Sequence, residues 1–267
     1  MDLTWKYYLH LYKVMFFLDL KSKMTYPLDF IISVAGVVLT NMAGFAVLKI
    51  LFFNFTEIDG WGYYKILFLY SFSMLSAIPA QCFLENNWNL GDQVLTGDFV
   101  KYCIKPVNLF FCYHSEIFDI KGIGQLVVGA SALGYAWCRL QIPFTFGYLL
   151  LLIFTLLTAS LFMMALMNLA AAVNFRSVLG AEYMMTLVFK FSGYARYPIT
   201  IFHTVLKKIF TFVIPIAFMA YYPSLFFLEP EHLSLTVYFA PVWGMVLFYI
   251  SYKIWMKGAL SYAGTGS

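Results

Sequence analysis

Long apolar stretches separated by short polar segments dominate the chain. A helix that spans a bilayer needs about 20 predominantly apolar residues. Six stretches have roughly that length, at residues 28–53, 63–84, 120–138, 144–173, 204–228 and 235–256. The predicted fold class is therefore all-α: a polytopic membrane protein with six transmembrane helices in a single transmembrane domain, 1–267. The fourth stretch is longer than a bilayer requires, so we expect it to be tilted or to extend beyond the membrane.

The N-terminal segment, residues 2–20, has its polar residues on one narrow face. On a helical wheel Asp2, Lys6, His10 and Lys13 fall on a single stripe, and aromatic and aliphatic residues occupy much of the rest. This pattern is typical of an amphipathic helix that lies in the membrane interface. We therefore predict a surface helix ahead of the first spanning helix.

The longest polar interruption, residues 85–116, has helix-like and turn-like pieces of its own. Val94, Leu95, Phe99 and Val100 form an apolar stripe at roughly helical spacing. The stretch is therefore predicted to be a structured loop. It is either an ordinary amphipathic loop on a membrane surface or a docking element whose apolar residues enter a groove on a soluble partner.

Turn-forming and charged residues occur at several positions in this loop. Gly97 interrupts the helical pattern and allows a turn that a side chain disfavours. Asp98 is positioned to cap a helix that restarts after it. Lys101 and Lys105 place charge at the membrane face, and Pro106 fixes the direction in which the chain leaves.

Residues 177–201 and the stretch after them are the hardest to place. Glu182, Lys190 and Arg196 are separated by apolar residues, which predicts a cytoplasmic and interfacial helix. The segment could instead form the lower part of the fifth spanning helix. Within that fifth stretch, Pro215 predicts a kink, either a static one or a bend that acts as a gate.

Small and polar residues recur within the spanning stretches. Gly36, Thr40 and Gly44 follow one another at four-residue spacing, a ridge that lets another helix approach closely. It could serve packing within the chain or a sliding subunit interface. Asn41 and Asn168 lie deep in apolar runs, where each side chain must face protein or water. Each either lines a substrate path or makes an interhelical hydrogen bond.

Composition supports a membrane protein and excludes a nucleic-acid-binding one. The 267 residues are 62% hydrophobic and only 11% charged, with a mean hydropathy of +0.79, whereas a soluble domain is about a quarter charged. The net charge of +4 reflects 17 Lys and Arg against 13 Asp and Glu. The positions of these basic residues are explained by membrane topology, so the net charge does not indicate nucleic-acid binding.

The distribution of Lys and Arg predicts the orientation, because these residues accumulate on the cytoplasmic side. With the N-terminus inside, three basic residues lie outside: Lys49, Lys65 and Arg139. Fourteen lie inside: Lys6, Lys13, Lys21, Lys23, Lys101, Lys105, Lys121, Arg176, Lys190, Arg196, Lys207, Lys208, Lys253 and Lys257. Both termini are therefore predicted to be cytoplasmic.

No sequence motif for chemistry is present. The chain has no GxxxxGK[ST] phosphate loop, no HExxH zinc motif and no GxSxG nucleophile motif. No Asp, Glu, Arg or His falls in the middle of a predicted span, which disfavours ion-coupled transport. We expect no catalytic residue, no metal and no cofactor in this chain. A membrane-embedded enzyme acting on lipid, or a structural or receptor membrane protein, remains the alternative to transport.

Three motifs in order resemble the membrane subunit of a type-2 ABC exporter, in the branch of small six-helix permeases. The first is LTGDFVKYCIKPV at 95–107, although Lys105 replaces the usual Arg and Cys103-Ile104 the usual leucine pair. The second is SGYARYPITIF at 192–202, followed by IPIAF at 214–218. The third is the tail, 255–267, which ends in YAGTGS.

The resemblance implies a permease domain with an N-terminal elbow helix and a coupling helix in the 85–116 loop. It implies two kinds of partner, a separate ABC ATPase that holds ATP and Mg²⁺ and a second permease, identical or related. The location would be the bacterial cytoplasmic membrane and the function ATP-driven export of an unspecified substrate. The residues assigned to ATPase coupling are Val94, Leu95, Gly97, Asp98, Phe99, Lys101, Lys105 and Pro106. Those assigned to the substrate path or to helix packing are Gly36, Thr40, Asn41, Gly44, Asn168 and Pro215.

Overall fold

Helices make up most of the structure, a computed structural model that describes residues 5–262 apart from the side chain of His232. Asp2 and the last five residues of the tail motif lie outside this range. One short hairpin, β1 (Glu57–Ile58) and β2 (Trp61–Gly62), pairs antiparallel. The α-helices are α1 (Trp5–Lys23), α2 (Pro27–Asn54), α3 (Tyr63–Phe83), α4 (Leu90–Thr96), α5 (Val100–Cys103), α6 (Leu109–His114), α7 (Lys121–Arg139), α8 (Phe146–Ala172), α9 (Val178–Ser192), α10 (Thr204–Lys208), α11 (Tyr221–Leu228) and α12 (Leu235–Leu260).

Local sequence explains where the main helices begin. Pro27 occupies the first turn of α2, where its missing N–H is not needed. The Thr145 hydroxyl accepts a hydrogen bond from Tyr148 N at the start of α8. Ser177 caps α9 in the same way, accepting from Gly180 N at 3.2 Å. Each cap ends the preceding loop and fixes the direction of the following helix.

The bundle is built around α3 and the pair α8–α12. α3 packs against α7 and α8, and α12 lies along α8. Gly244 of α12 sits so close to α8 that a Cβ there would collide with the Thr158 carbonyl oxygen. α2 is different, because only 11% of its most apolar 18-residue stretch is buried, whereas 72% of the corresponding stretch of α3 is buried. One side of α2 therefore faces away from the rest of the chain.

Within residues 5–262, four helices are long and apolar enough to cross a membrane: Pro27–Asn54, Tyr63–Phe83, Phe146–Phe175 and Leu235–Leu260. They correspond to the first, second, fourth and sixth predicted spans. α7 forms over the third. The Lys65 ammonium lies 3.5 Å from the Glu229 carboxylate, which brings the beginning of α3 and the end of α11 together beside β1–β2. We call this side the hairpin end and the opposite side, where residues 85–116 lie, the loop end.

The prediction of one continuous helix over 204–228 is wrong. α10 passes into a π-turn at Ile209–Val213, and a 3₁₀ turn at Ile216–Met219 precedes α11. The break falls at Pro215, which has no N–H to donate and whose ring clashes with the preceding turn. Both versions of the predicted kink assumed a helix that continues through Pro215, whereas here the helical path ends and restarts.

The segment 177–201 packs against the bundle, and its position relative to the membrane stays a prediction. α9 starts at the loop end, packs along α8, and is followed by 3₁₀ turns at Gly193–Arg196 and Ile199–Ile201. The side chains of Ala181 and Met185 are buried, because they face neighbouring helices. This packing favours the alternative in which the segment is the lower part of the fifth pass.

Candidate functional site

The loop between α3 and α7 consists of short helical pieces joined by tight turns. A 3₁₀ turn at Glu85–Asn89 leads into α4, and α5 and α6 follow. Gly97 ends α4 with a φ of +84°, in the left-handed region where a side chain is disfavoured. The predicted turn at Gly97 is confirmed, and the loop has a defined shape.

Phe99 and Val94 are part of the protein core. The Phe99 ring is 0% exposed and lies within 6.2 Å, between centroids, of five aromatic rings. These belong to Tyr102, Tyr113, Phe175, Trp255 and Tyr262. The Val94 side chain is also buried. An anchor must be reachable by its partner, so the expectation that Val94 and Phe99 enter a partner's groove is wrong.

The apolar residues that a partner can reach on this loop are others. Leu95 is 62% exposed, as a docking residue requires, and Val100 is 42% exposed. Ile104, which the helical stripe did not include, is 78% exposed. An exposed apolar patch rimmed by polar residues is typical of an interaction site. We call Leu95, Val100 and Ile104 the loop patch.

Asp98 does not cap the helix that follows it. Its carboxylate accepts a hydrogen bond from the Thr96 hydroxyl at 2.9 Å, and α5 starts without a side-chain cap. The capping prediction is therefore wrong, because the carboxylate bonds across the Gly97 turn to the preceding residue. Asp98 stabilises the turn itself.

The charged residues of the loop tie its two halves together. The Lys101 ammonium lies 2.9 Å from the Glu116 carboxylate, and the Tyr102 hydroxyl donates to the same carboxylate. Burial, together with Glu116, raises the pKa of Tyr102 to about 12, so Tyr102 remains a donor. Lys105 and Pro106 are exposed in the bend after α5. These contacts hold α5 against the last part of the loop.

Buried amides connect the loop to the helix bundle. Asn86 donates to the Tyr113 carbonyl oxygen at 2.8 Å, and the Tyr113 hydroxyl donates to the Asn86 carbonyl oxygen at 2.6 Å. Asn87 Nδ2 lies 3.0 Å from Asn168 Oδ1 on α8. Asn168 is fully buried and makes an interhelical hydrogen bond. Of its two predicted roles, the structure shows the packing one.

His114 completes this network as a neutral imidazole. Burial lowers the pKa of His114 from 6.5 to about 4. Its Nδ1 lies 2.9 Å from the Phe110 carbonyl oxygen and its Nε2 lies 3.2 Å from the Asn87 amide. The single N–H of a neutral ring serves the carbonyl, so Nε2 must accept. This assigns the Asn87 and Asn168 side-chain amides with their oxygen and nitrogen atoms exchanged. Asn87 Nδ2 then donates to His114 Nε2, and the otherwise unpaired Asn168 Nδ2 donates to Asn87 Oδ1.

The amphipathic helix α1 also contacts the loop. The backbone N–H of Asn108 donates to the Tyr8 hydroxyl at 3.3 Å, and the Tyr8 ring stacks edge-on against Phe111. Farther along, the Asp19 carboxylate accepts from Phe118 N at 3.2 Å. α1 therefore forms a helix, as predicted, and packs along the second half of the loop.

A cavity of about 300 Å³ lies between α2, α3, α7, α8 and α9. Asn41 lines it, with Ser73, Gln125 and several methionines, while Asn168 is outside it. Lys190 and Arg196 also face this cavity. Arg196 donates to the Tyr70 hydroxyl at 2.9 Å, and its guanidinium carbon lies 4.9 Å from the centroid of that ring.

The positions of Arg196, Lys207 and Lys208 differ from those expected from the sequence. Tyr70 is the eighth residue of α3 counted from the hairpin end, so the partly buried Arg196 side chain contacts α3 along its length and does not lie at the loop end. Lys207 and Lys208 border a groove with Leu235 and Thr236 at the hairpin end of α12. With these changes, eleven basic residues lie toward the loop end and five toward the hairpin end. The bias that predicted the orientation becomes smaller but keeps its direction.

The predicted ridge on α2 is divided between two environments. Gly44 lies under Tyr70, where a Cβ would collide with the hydroxyl, so this glycine serves packing within the chain. Gly36 has open space around it, and Thr40 is exposed and bonds back to the Gly36 carbonyl oxygen at 2.8 Å. Only Gly36 and Thr40 are available to another subunit.

Comparison with protein families gives a match over most of the chain. Residues 38–266 match the family described as "ABC-2 family transporter protein". No curated protein and no solved structure matches.

Proposed function

Since this chain belongs to the ABC-2 family of transporter proteins, we propose that it is the permease subunit of an ATP-driven exporter. Its partners would be a separate ABC ATPase, which binds ATP and Mg²⁺, and a second permease. The chain itself would contribute the path across the membrane and would not hydrolyse ATP.

The folded loop 85–116 carries this proposal. An element that transmits force must keep its shape and be joined to the helices it moves. The loop is held to α8 through Asn87 and Asn168, and to α12 where Asn108 Nδ2 donates to the Tyr252 hydroxyl at 3.1 Å. Its exposed loop patch would contact the ATPase. A push on this surface is transferred directly to α8 and α12.

The topology we propose has six passes, formed by α2, α3, α7, α8, α9 and α12. Residues 204–228 would form an element that enters and leaves the bundle at the hairpin end. The bias of basic residues toward the loop end supports a cytoplasmic loop end and cytoplasmic termini in a bacterial cell membrane.

A second permease would pack against the exposed side of α2. The support is the small fraction of α2 that this chain buries and the close approach that Gly36 and Thr40 allow. The sequence and the fold are compatible with a second copy of this chain or with a related one.

The test is to purify the tagged chain from its own membranes. We expect an ATPase subunit to copurify, and ATP hydrolysis to occur in the complex but not in the separated chain. Replacing Leu95 by Ala should reduce the ATPase recovered, whereas Leu260→Ala, at another exposed leucine, on α12, should not. Recovery of the chain with no nucleotide-binding subunit, under conditions that preserve other transporters, would contradict the proposal.

A further inference from the structure

The cavity beside Arg196 has a strongly biased charge. Two cations line it, Lys190 and Arg196, and the described residues that line it include no Asp or Glu. Among the ion pairs of the described chain, none involves either cation. The Lys190 side chain is exposed and the Arg196 side chain is partly buried, and no acid on the described cavity lining neutralises either charge. The cavity therefore has an uncompensated positive potential.

Arg196 is held so that most of its donors remain available. A guanidinium has five N–H groups, and the described chain provides one hydrogen-bond acceptor for them, the Tyr70 hydroxyl. The ring of Tyr70 also supports the guanidinium from one side. Arg presents its donors as a planar fork that matches carboxylate and phosphate groups.

Neutral polar side chains also line the cavity. Asn41 lines the cavity and uses one N–H of its Nδ2 to donate to the Val37 carbonyl oxygen of its own helix, which leaves the second N–H of that amide as a donor. Ser73 and Gln125 line the cavity as well. Hydroxyl and amide N–H groups at these positions can donate to the remaining oxygens of an anion.

The rest of the wall is apolar and adaptable. Four methionines line it: Met74, Met163, Met167 and Met219. Thioether side chains adjust to irregular apolar shapes. The rim holds the exposed rings of Trp88 and Phe189, whose centroids are 6.1 Å apart. A ligand that fits has one anionic end and one apolar end.

We propose that this cavity binds the anionic headgroup of an amphiphile, with Arg196 and Lys190 as its counterions and the methionines around the first part of its tail. A volume of about 300 Å³ is small for a whole lipid and suits a headgroup with a few carbons. The remaining tail leaves past Trp88 and Phe189. The ligand is either a bilayer lipid or, in an extension that rests on the proposed function, the exported molecule.

The experiment measures equilibrium binding of radiolabelled dodecyl phosphate to the full chain in phosphatidylcholine nanodiscs, with empty nanodiscs subtracted. Dodecyl glucoside, which has the same tail and no charge, is the comparison probe. We expect Arg196→Gln to weaken dodecyl phosphate binding about tenfold, the size of one lost charge-assisted contact. Lys190→Gln should weaken it less, and neither variant should alter dodecyl glucoside binding.

Three controls separate binding from folding. Tyr70→Phe removes the hydrogen bond to Arg196 but keeps the charge, so binding should persist. Arg176→Gln makes the same substitution outside the cavity and should have no effect. Met163→Trp fills the cavity without changing charge and should abolish binding. Equal affinity for the two probes, or unchanged binding in both glutamine variants, overturns the proposal.

Lipid composition then identifies the source of the ligand. If phosphatidylglycerol, added in place of part of the phosphatidylcholine, displaces the probe, the natural ligand is a bilayer lipid. If it does not, the site takes a free amphiphile, and both results support the anionic site. ATP and partner subunits are absent from this assay, so failure of export in a reconstituted transporter would leave the binding result intact.

Discussion

The Tyr262 hydroxyl donates to the Val94 carbonyl oxygen at 3.1 Å, across 168 positions of the chain. This bond joins the segment after α12 to α4. The Tyr262 ring also stands edge-on against Phe99. The 85–116 loop and the last described residues therefore form one packed unit.

We expect Tyr262→Phe to loosen this unit without unfolding the bundle. The change removes one partly buried hydrogen bond and keeps the aromatic contact, so the loss should be about 1 kcal/mol. Limited proteolysis within residues 85–116 should become faster. Tyr249→Phe, at an exposed tyrosine of α12, is the control and should leave the rate unchanged; a matching increase there would argue against a specific role.

Gly97→Val should distort the loop. A β-branched residue at a φ of +84° is strongly disfavoured, and roughly 1–2 kcal/mol per residue is the usual cost of left-handed backbone for an L-residue. Gly97→Asn should cost less, because asparagine adopts this conformation more readily. The thermal midpoint of each variant in detergent, with ATPase recovery beside it, checks this. An unchanged midpoint for valine would show that the turn is not constrained.

Leu95→Ala and Phe99→Ala should behave in opposite ways. Leu95 is exposed, so its truncation should leave stability unchanged and reduce ATPase binding. Phe99 is enclosed by aromatic rings, so its truncation should destabilise the chain by roughly 3–5 kcal/mol. Denaturation and pull-down of the same samples distinguish the two; a folded Phe99→Ala chain that has lost only its partner would restore Phe99 as a docking residue.

Stability should fall as the pH decreases from 6.5 to about 4, because of His114. The unfolded imidazole gains a proton near pH 6.5, whereas the pKa of the buried one is lowered to about 4. The stabilising contribution is complete above pH 6.5 and is lost through this interval, up to on the order of 3 kcal/mol. Thermal midpoints measured across this range should decline less in His114→Gln. Parallel curves for the two proteins would refute the assignment.

Labelling of introduced cysteines tests the revised topology. A membrane-impermeant thiol reagent added outside intact cells should label Asp59→Cys and Lys207→Cys, because both positions lie toward the hairpin end. Asp98→Cys should be labelled only after the cells are opened. If Lys207→Cys is labelled only after the cells are opened, residues 204–208 lie on the cytoplasmic side, as the pattern of charges alone predicts.

Sequence periodicity was sufficient for the helices whose apolar stretches are uninterrupted. α2, α3, α8 and α12 begin and end within a few residues of their predicted limits. The Gly97 turn was also predictable, since it depends on one residue type. Periodicity failed at Pro215, because hydropathy averages over a break that a single missing N–H produces.

The site was less predictable, because burial and pairing depend on distant parts of the chain. Phe99 looked like part of an exposed stripe, and only its contacts with Phe175 and Trp255 show that it is enclosed. The partner of Arg196, Tyr70, lies 126 positions away. The available signal was an arginine within an otherwise apolar and aromatic segment, which in a membrane protein indicates function.

The contact at Gly244 divides the molecule into a stiff and a compliant half. Where two helical backbones touch without side chains between them, there is nothing that can repack, so α8 and α12 must rotate together or not at all. α2, with little of its surface covered by this chain, has no comparable restraint. Displacement of the loop should therefore appear as rotation of one rigid pair of helices against a mobile neighbour, with the largest change in distance between α2 and α12.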